Sequence, residues 1–311
     1  MNCGGDYIRQ AKVFSLTRYK FLYLCKYTNK LAEVFKKSDI EILIATMNRN
    51  NLDFLIPMFP FAHFSEFSIL IINQTNEENL LFSEFENIRV INSYEKGLSK
   101  SRNLALENAS KKILLIADDD VEFIPDFDQK IATAYNENHE ASIICLQTKT
   151  KEGKTYSSYK KDSFWMRFKD LVWVLSIEIT FKSEAIDSKN IRFNEHFGLG
   201  AQFQDAESLY FLRRAKYQNL KILFQPQNIV VHEAYSSSDE VFSDRWLFAK
   251  AAGFYKRFSV LGYLYILKVV FFLLRKKMIP FSQIREKINI GFQGISAYKV
   301  LLKKGLEKIW D

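Results

Sequence analysis

The sequence predicts an α/β protein whose mostly parallel sheet is covered by helices on both faces. Short apolar runs rich in β-branched residues alternate with segments of helical spacing between residues 38 and 235. Three polar clusters, at residues 46–49, 73–75 and 118–120, directly follow such runs. Ligands bind beyond the carboxyl ends of parallel strands, so these clusters mark the edge where a site is expected.

Seven short apolar segments of the chain have the composition of strands. Most are bounded by polar residues, as strands usually are. They span residues 40–45, 67–72, 88–91, 112–117, 141–147, 174–181 and 228–232. Helices are predicted over residues 7–37, 52–59, 98–109 and 205–217, and the chain beyond residue 236 is helical and basic.

The charge distribution divides the chain into three parts. Residues 1–37 carry a net charge of +6, residues 38–235 carry −6, and residues 236–311 carry +8. We therefore predict an N-terminal helical extension, a central domain and a helical C-terminal region with these bounds. An acidic centre between basic flanks does not resemble the single basic face of a nucleic-acid-binding protein. It fits a core that holds a cation and flanks that contact an anionic membrane surface.

An apolar segment at residues 258–274 precedes the basic run at residues 275–277. Its 17 residues fall short of the roughly 20 that a spanning helix needs, and Lys268 interrupts them. Two interpretations stay open: a buried helix, or a helix in the membrane interface, which the basic C-terminal region favours. The early apolar stretch at residues 13–24 contains Arg18 and Lys20 and does not resemble a secretory signal. We expect a cytoplasmic protein, peripheral on the inner face of the cell membrane.

Some ligand classes lack their motifs in this chain. Neither G-x-G-x-x-G nor a P-loop motif occurs, so the common dinucleotide and nucleotide-triphosphate fingerprints are missing. The three cysteines have no C-x-x-C spacing, which argues against a cysteine-based zinc site.

The sharpest chemical feature is the acidic triplet at residues 118–120. Three adjacent carboxylates at the end of a buried strand repel one another, and a divalent cation offsets that repulsion. Asp118 and Asp120 point the same way in extended backbone, so both can face one ion. The triplet predicts a site for Mg²⁺ or Mn²⁺, and a solvated acidic turn is the alternative.

Four motifs in order make the chain resemble an inverting glycosyltransferase of family 2. A strand leads into T-M-N-R, a second strand into N-Q-T, then come G-L-S-K-S-R-N and a strand leading into D-D-D. The family's common forms are T-Y-N-R, D-D-G-S, G-x-x-x-A-R-N and D-x-D. The resemblance covers residues 38–235 and implies a GT-A fold, which is Rossmann-like with a mostly parallel central sheet flanked by helices.

The resemblance implies a role for individual residues of this sequence. Asn73 stands where the family usually has an aspartate, which leaves the identity of the base open. Residues expected to bind the nucleotide-sugar are Thr46, Asn48, Arg49, Asn73, Lys100, Arg102, Asn103, Asp118 and Asp119. Lys96, Lys100 and Arg102 carry the charge to neutralise a diphosphate. The expected metal ligands are Asp120, Asp118 and the late histidine, His232.

A second constellation resembles the acceptor side of the family. The loop containing Gly198, Leu199 and Gly200 precedes Q-D-A-E-S-L, which aligns with the family's acidic motif. Asp205 then takes the place of the catalytic base and Glu207 that of the second acid. In a shifted register Glu207 is the main candidate, so both acids are kept.

The sequence thus predicts transfer of a sugar from a nucleotide-sugar, with UDP as the expected nucleotide, to a hydroxyl group. A glycan or lipid-linked acceptor in bacterial surface polysaccharide synthesis is what the resemblance implies. Two alternatives stay open. One is a nucleotidyltransferase using the same strand-end acids, and the other is a catalytically silent glycan- or membrane-binding protein with this fold.

Overall fold

The computed structural model describes residues 33–233 and 243–309. The chain divides into two compact units, Met1–Val34 and Phe35–Asp311. Most of the helix predicted over residues 7–37 lies outside the described residues, and residues 33–36 are not helical. The account below concerns the second unit, in which the sheet and the C-terminal helices lie together; the predicted boundaries at residues 37 and 235 stay a prediction.

Nine strands of the described residues form one sheet. They are β1 (Ile40–Met47), β2 (Ile69–Gln74), β3 (Ile88–Ser93), β4 (Ile113–Asp118), β5 (Glu122–Phe123), β6 (Ile143–Thr150), β7 (Phe164–Trp165), β8 (Ile179–Lys182) and β9 (Ile222–His232). Their order is β3-β2-β1-β4-β8-β6-β9-β5, and β7 pairs with β9. The six longest strands run in one direction, and the short β5, β7 and β8 oppose their neighbours. The predicted α/β class with a mostly parallel sheet is confirmed.

The helices fall into two groups. Those associated with the sheet are α1 (Leu55–Met58), α2 (Leu98–Asn108), α3 (Phe127–Glu137), α4 (Ser183–Ser188) and α5 (Glu207–Tyr217). The C-terminal group contains α6 (Asp244–Phe258), α7 (Gly262–Arg275) and α8 (Ile284–Lys303).

Both faces of the sheet are buried because the strands are apolar at successive positions. In β1, Ile42 and Ile44 join one core, and Leu43 joins the core on the opposite face. Successive side chains of a strand point to opposite faces, so this run covers both. The cores fix the strands in register and bring their carboxyl ends to a common edge.

Some predicted elements differ from those observed. The helix predicted over residues 52–59 is only the four-residue α1, because Pro57 donates no amide hydrogen and Pro60 follows. The strand predicted over residues 174–181 starts at Ile179, after a single 3₁₀ turn. Glu178 ends that turn and accepts a hydrogen bond from the Leu175 amide at 3.1 Å. The last strand begins earlier than predicted, at Ile222.

The C-terminal helices pack around their own apolar core. This core contains residues of all three helices, such as Ala251, Ile266 and Ile295, and also Phe197 and Phe203 from the chain before α5. The buried ion pair between Lys256 Nζ and Glu307 Oε2, 2.8 Å apart, closes one end of it. The C-terminal region therefore supports the loop at residues 198–200.

Candidate active site

A cavity of about 600 Å³ lies at the carboxyl edge of the sheet. The parallel pairing places Ala45 of β1 beside Asp118 of β4, and β9 ends nearby at His232. Among the residues lining the cavity are Thr46, Gln74, Lys96, Gly97, Asp118, Asp119, Asp120, Leu199, Gly200 and His232. The structure thus brings the first predicted loop, the acidic triplet, the glycine loop and the late histidine together.

The middle acid of the triplet is held by the first loop. Asp119 Oδ2 accepts hydrogen bonds from Arg49 Nη2 at 2.7 Å and Nε at 3.1 Å, and from the Thr46 hydroxyl. The Arg49 guanidinium also lies over the ring of Phe54, 5.0 Å from its centroid. These contacts connect β1 to the turn after β4 and shape one wall of the cavity.

The first acid of the triplet, which is partly exposed, pairs with a buried arginine. Arg102, whose side chain is only 3% exposed, donates from Nη2 to Asp118 Oδ1 and from Nη1 to Glu207 Oε1, both at 2.9 Å. Ser176 Oγ lies 3.4 Å from Asp118 Oδ2. One guanidinium therefore joins the end of β4 to the start of α5, and the metal role of Asp118 stays a prediction.

The last acid of the triplet faces the late histidine. Asp120 Oδ1 and His232 Nε2 are 3.5 Å apart. His232 Nδ1 lies 2.8 Å from the Glu233 carbonyl, which can only accept, so Nδ1 carries a hydrogen and Nε2 faces the acid. The contact holds the pKa of Asp120 below its usual range and raises the pKa of His232. A metal ion at Nε2 has to displace a proton from this atom, so binding of the metal ion is expected to weaken as pH falls.

Asp120 and His232 fit part of a divalent cation's coordination. Within residues 33–233 and 243–309, no group of three or more His, Cys, Asp or Glu side chains is arranged to hold a metal. Mg²⁺ is commonly held by one or two protein carboxylates together with substrate phosphates and water. Two protein ligands beside a cavity of this size match that pattern.

Six residues predicted to bind the nucleotide-sugar lie outside the cavity wall: Asn48, Arg49, Asn73, Lys100, Arg102 and Asn103. Asn73 is fully buried; its Oδ1 accepts from the Arg49 amide at 3.0 Å, and its Nδ2 donates to the Arg49 carbonyl at 2.9 Å. Asn103 is also buried and its Oδ1 accepts from the Phe193 amide at 2.7 Å. Lys100 forms an exposed ion pair with Glu95 at 2.6 Å. Asn73 and Asn103 thus position the two loops beside the cavity.

Gln74 is a cavity residue that sequence reasoning missed. It lines the cavity beside Lys96, and its Oε1 accepts a hydrogen bond from the Gly97 amide at 2.7 Å. The alternation of side chains along β2 could have indicated this position. Because Asn73 faces one side of the sheet, its neighbour faces the other.

The glycine loop is anchored to the start of α2. The Leu98 amide donates to the Leu199 carbonyl at 2.9 Å, and Ser99 Oγ donates to the Phe197 carbonyl at 2.6 Å. Gly198 has a φ of 102°, and a Cβ there would lie 3.1 Å from Glu207 Cβ. Glycine at this position lets the loop approach the candidate base closely.

A second cavity, of about 410 Å³, contains the two candidate bases. Asp205 and Glu207 line it with Ser176 and residues of α6. Asp205 Oδ2 lies 3.3 Å from Lys250 Nζ. Ala206, between the acids, has a φ of 66°, which is strained for a residue with a side chain. Glu207 lines this cavity and Asp118 lines the first, so Arg102, which bonds to both, connects the two cavities.

Residues 74–204 match the model of glycosyl transferase family 2. The match contains the turn at residues 118–120, Arg102 and the glycine loop, and it ends one residue before Asp205. No curated protein matches the chain in sequence. The curled, mostly parallel sheet with flanking helices is consistent with the GT-A fold, as the resemblance predicts.

The similar solved structures include those of S. aureus TarS. TarS 1–349 in complex with UDP-GlcNAc has a TM-score of 0.50 and 13% identity over 86% of this chain and 92% of that chain. The complex with UDP has a TM-score of 0.48 and 13% identity over 86% and 91%. A further TarS structure has a TM-score of 0.48 and 18% identity over 70% of this chain, and the match spans 39% of its length. At these identities the likeness concerns the fold.

Proposed function

We propose that the protein is an inverting family 2 glycosyltransferase that moves a sugar from a nucleotide-sugar to a hydroxyl group of a glycan or lipid-linked acceptor. The family match over residues 74–204 and the fold support this class of reaction. The observation that carries the proposal is the pair of cavities joined by Arg102. One holds the strand-end acids suited to a donor, and the other holds the acids suited to activating an acceptor.

The donor is proposed to be a UDP-sugar bound in the first cavity. The TarS structure with a TM-score of 0.50 contains UDP-GlcNAc, which supports this choice of nucleotide. Lys96 in the cavity wall supplies positive charge for a diphosphate. Asp120 and His232 would hold Mg²⁺ or Mn²⁺, and that ion, when bound, stabilises the charge of the departing diphosphate.

A single direct displacement at the anomeric carbon would give an inverted product. The acceptor oxygen forms a bond to the anomeric carbon as the bond from that carbon to the diphosphate oxygen breaks. Asp205 or Glu207 takes the proton that the acceptor hydroxyl loses. Ser208 Oγ lies 3.2 Å from Glu207 Oε1, and Arg102 holds the same oxygen, so Glu207 is the more fixed of the two.

We expect the Asp120→Asn variant to lose about 100-fold in transfer rate, because the leaving group loses its electrostatic support. Removing the base, in Asp205→Asn or Glu207→Gln, is expected to lower the rate by at least about 100-fold in one of the two. The measurement is UDP release from UDP-GlcNAc and Mn²⁺ by the purified chain, with and without saccharide acceptors.

The exposed Asp187→Asn variant is the matched control and is expected to keep full activity. Unchanged activity in Asp120→Asn contradicts the metal assignment, and unchanged activity in both base variants contradicts the base assignment. Release of pyrophosphate from a nucleoside triphosphate indicates a nucleotidyltransferase. Donor binding without turnover under any condition indicates a silent scaffold.

We further propose that the enzyme acts at the inner face of the bacterial cell membrane, in surface polysaccharide synthesis. Among the described residues, one helical stretch, Asp244–Arg275, is by length and composition long and apolar enough to cross a membrane. Ser259, with a φ of 50°, separates it into α6 and α7. A Cβ on Gly262 would lie 2.9 Å from Tyr255 Cα, so α7 folds back against α6. This geometry supports an interfacial position over a single spanning rod.

One face of α7 has the composition of a membrane-binding surface. Leu264 is 61% exposed and Phe271 is 64% exposed, at a spacing that places them on one side of the helix. Residues 275–277, all basic and exposed, follow directly. Apolar side chains bordered by lysine and arginine are typical of helices that lie among anionic headgroups.

The double variant Leu264→Ser/Phe271→Ser is expected to lose its binding to anionic vesicles, because it removes the apolar contacts with the lipid. The measurement is flotation with phosphatidylglycerol vesicles at low salt. Phe82→Ser, at an exposed position in the loop before β3, is the control and is expected to float like the unaltered chain. If the unaltered chain stays entirely in the soluble fraction, the membrane proposal is wrong.

A further inference from the structure

We propose that the second cavity binds a phosphate group of the acceptor through Arg257 and Lys250. This inference rests on the proposed function, because it names the chemical class of the acceptor. We argue it from the charges around the cavity, from the partners of those charges in the described residues, and from the lining of the cavity by α6, which leads into α7.

Two cations of α6 face the same cavity. Lys250, Gly253 and Arg257 line it, and their spacing puts them on one face of the helix. A Cβ on Gly253 would lie 2.5 Å from the Tyr210 hydroxyl, so this glycine lets α6 approach α5 closely. The cavity is therefore a cleft between the two helices, with positive charge on the α6 side.

The carboxylates of the cavity already have cationic partners. Asp205 pairs with Lys250, and Glu207 pairs with Arg102. Within residues 33–233 and 243–309, no carboxylate forms an ion pair with Arg257. Its Nε atom is buried without a hydrogen-bond partner, and its guanidinium lies 4.8 Å from the ring centroid of Phe258. A guanidinium at a cavity wall that has no carboxylate partner among the described residues is suited to a bound anion.

A second arginine adds to the unbalanced charge. Arg213 of α5 is buried and donates to the Tyr217 hydroxyl at 3.0 Å. Burial, and next the charge of Arg257, hold the pKa of Arg213 below its ordinary value. An anion beside Arg257 would offset this repulsion.

The start of α5 also faces the cavity with its positive end. Residues 205–209 line the cavity, and α5 begins at Glu207 without a side-chain cap. Amide groups at a helix start add to the attraction that the two α6 cations exert on a phosphate.

A phosphate bound at Arg257 would lie in the same cavity as the acceptor hydroxyl. The cavity contains both candidate bases, so a phosphate at Arg257 holds the acceptor beside the acid that takes its proton. Arg257 is also two residues before Ser259, where α6 gives way to the segment leading to the exposed face of α7. Phe254, which lines the cavity, also packs against Tyr265 of α7, with ring centroids 5.1 Å apart, so a lipid-linked phosphate in the cavity would lie close to α7.

The test is a calorimetric titration of the full chain with octyl phosphate and with inorganic phosphate. Saturating UDP and Mg²⁺ are present, so that the donor cavity is filled. We expect Arg257→Gln and Lys250→Gln each to weaken binding about 10-fold or more, since each loses a charge-assisted hydrogen bond. Lys189→Gln, the same change at an exposed position outside both cavities, is the control and is expected to bind like the unaltered chain. Arg257→Lys, which keeps the charge, is expected to retain part of the affinity.

The two probes separate the sources of the phosphate. Tighter binding of octyl phosphate supports a lipid-linked acceptor, and equal binding of inorganic phosphate supports a soluble phosphorylated one. No binding of either probe, or binding that the two α6 variants leave unchanged, overturns the inference. UDP binding to the unaltered chain is measured first in the same samples. Absence of UDP binding counts against the proposed function, whereas phosphate binding that depends on Arg257 still supports the anion site.

Discussion

The Arg102→Met variant is expected to lose about 3 to 5 kcal/mol of folding free energy and nearly all transfer activity. Methionine fills a similar volume but leaves Asp118 and Glu207 side by side without their shared cation. Like charges in a poorly solvated place repel strongly, and each carboxylate also loses a hydrogen bond. Urea unfolding measures the first effect and UDP release the second.

Two further variants show whether this loss comes from the unpaired carboxylates. Arg192→Met removes the ion pair with Asp187 at the surface and is expected to cost less than about 1 kcal/mol. Adding Asp118→Asn and Glu207→Gln to Arg102→Met removes the repulsion and is expected to recover much of the stability but no activity. A triple variant as unstable as the single one would mean that Arg102 acts through packing.

Of the two ion pairs that Arg102 forms with Asp118 and Glu207, the sequence predicts the surroundings of only one. The order of motifs predicts that Arg102 lies near the nucleotide, and the structure puts it beside Asp118, which lines the first cavity. Its second bond, to Glu207, joins residues 105 positions apart, and no local pattern indicates that contact. Lys250 and Arg257 lie on a helix whose sequence is that of an ordinary amphipathic helix, so their place beside Asp205 depends on tertiary packing.

The sheet was predictable because its signal is local. The strands ending at Gln74 and Asp118 are apolar, β-branched runs buried on both faces, and burial of this kind leaves a continuous signature. The resemblance predicted His232 as a metal ligand with Asp120, and the shared carboxyl edge of parallel strands explains why the end of β9 lies beside that acid. The contacts of Asn73 were harder to predict. The family position predicts a contact with the base, whereas in the structure the Asn73 side chain joins β2 to the first loop by hydrogen bonds to the Arg49 backbone.

The Gly198→Ala variant is expected to lose at least about 10-fold in transfer rate and about 2 kcal/mol in stability. A φ of 102° is unfavourable for alanine, and the new methyl group would meet Glu207 Cβ and Ser99 Oγ, each at 3.1 Å. Relief of that contact moves either the glycine loop or Glu207, and both belong to the site. The kcat of UDP release and the midpoint of urea unfolding measure the two effects.

Gly153→Ala provides the comparison, because Gly153 has a φ of 77° and nothing within 4 Å of the position its Cβ would take. Alanine at this position also has an unfavourable positive φ, but its methyl group meets no neighbouring atom. We therefore expect Gly153→Ala to lower stability by about 1 kcal/mol and to leave the transfer rate unchanged. The difference between the two variants then measures what the approach of the loop to Glu207 contributes. Equal rates in both would mean that the position of Glu207 tolerates the displacement and would favour Asp205 as the base.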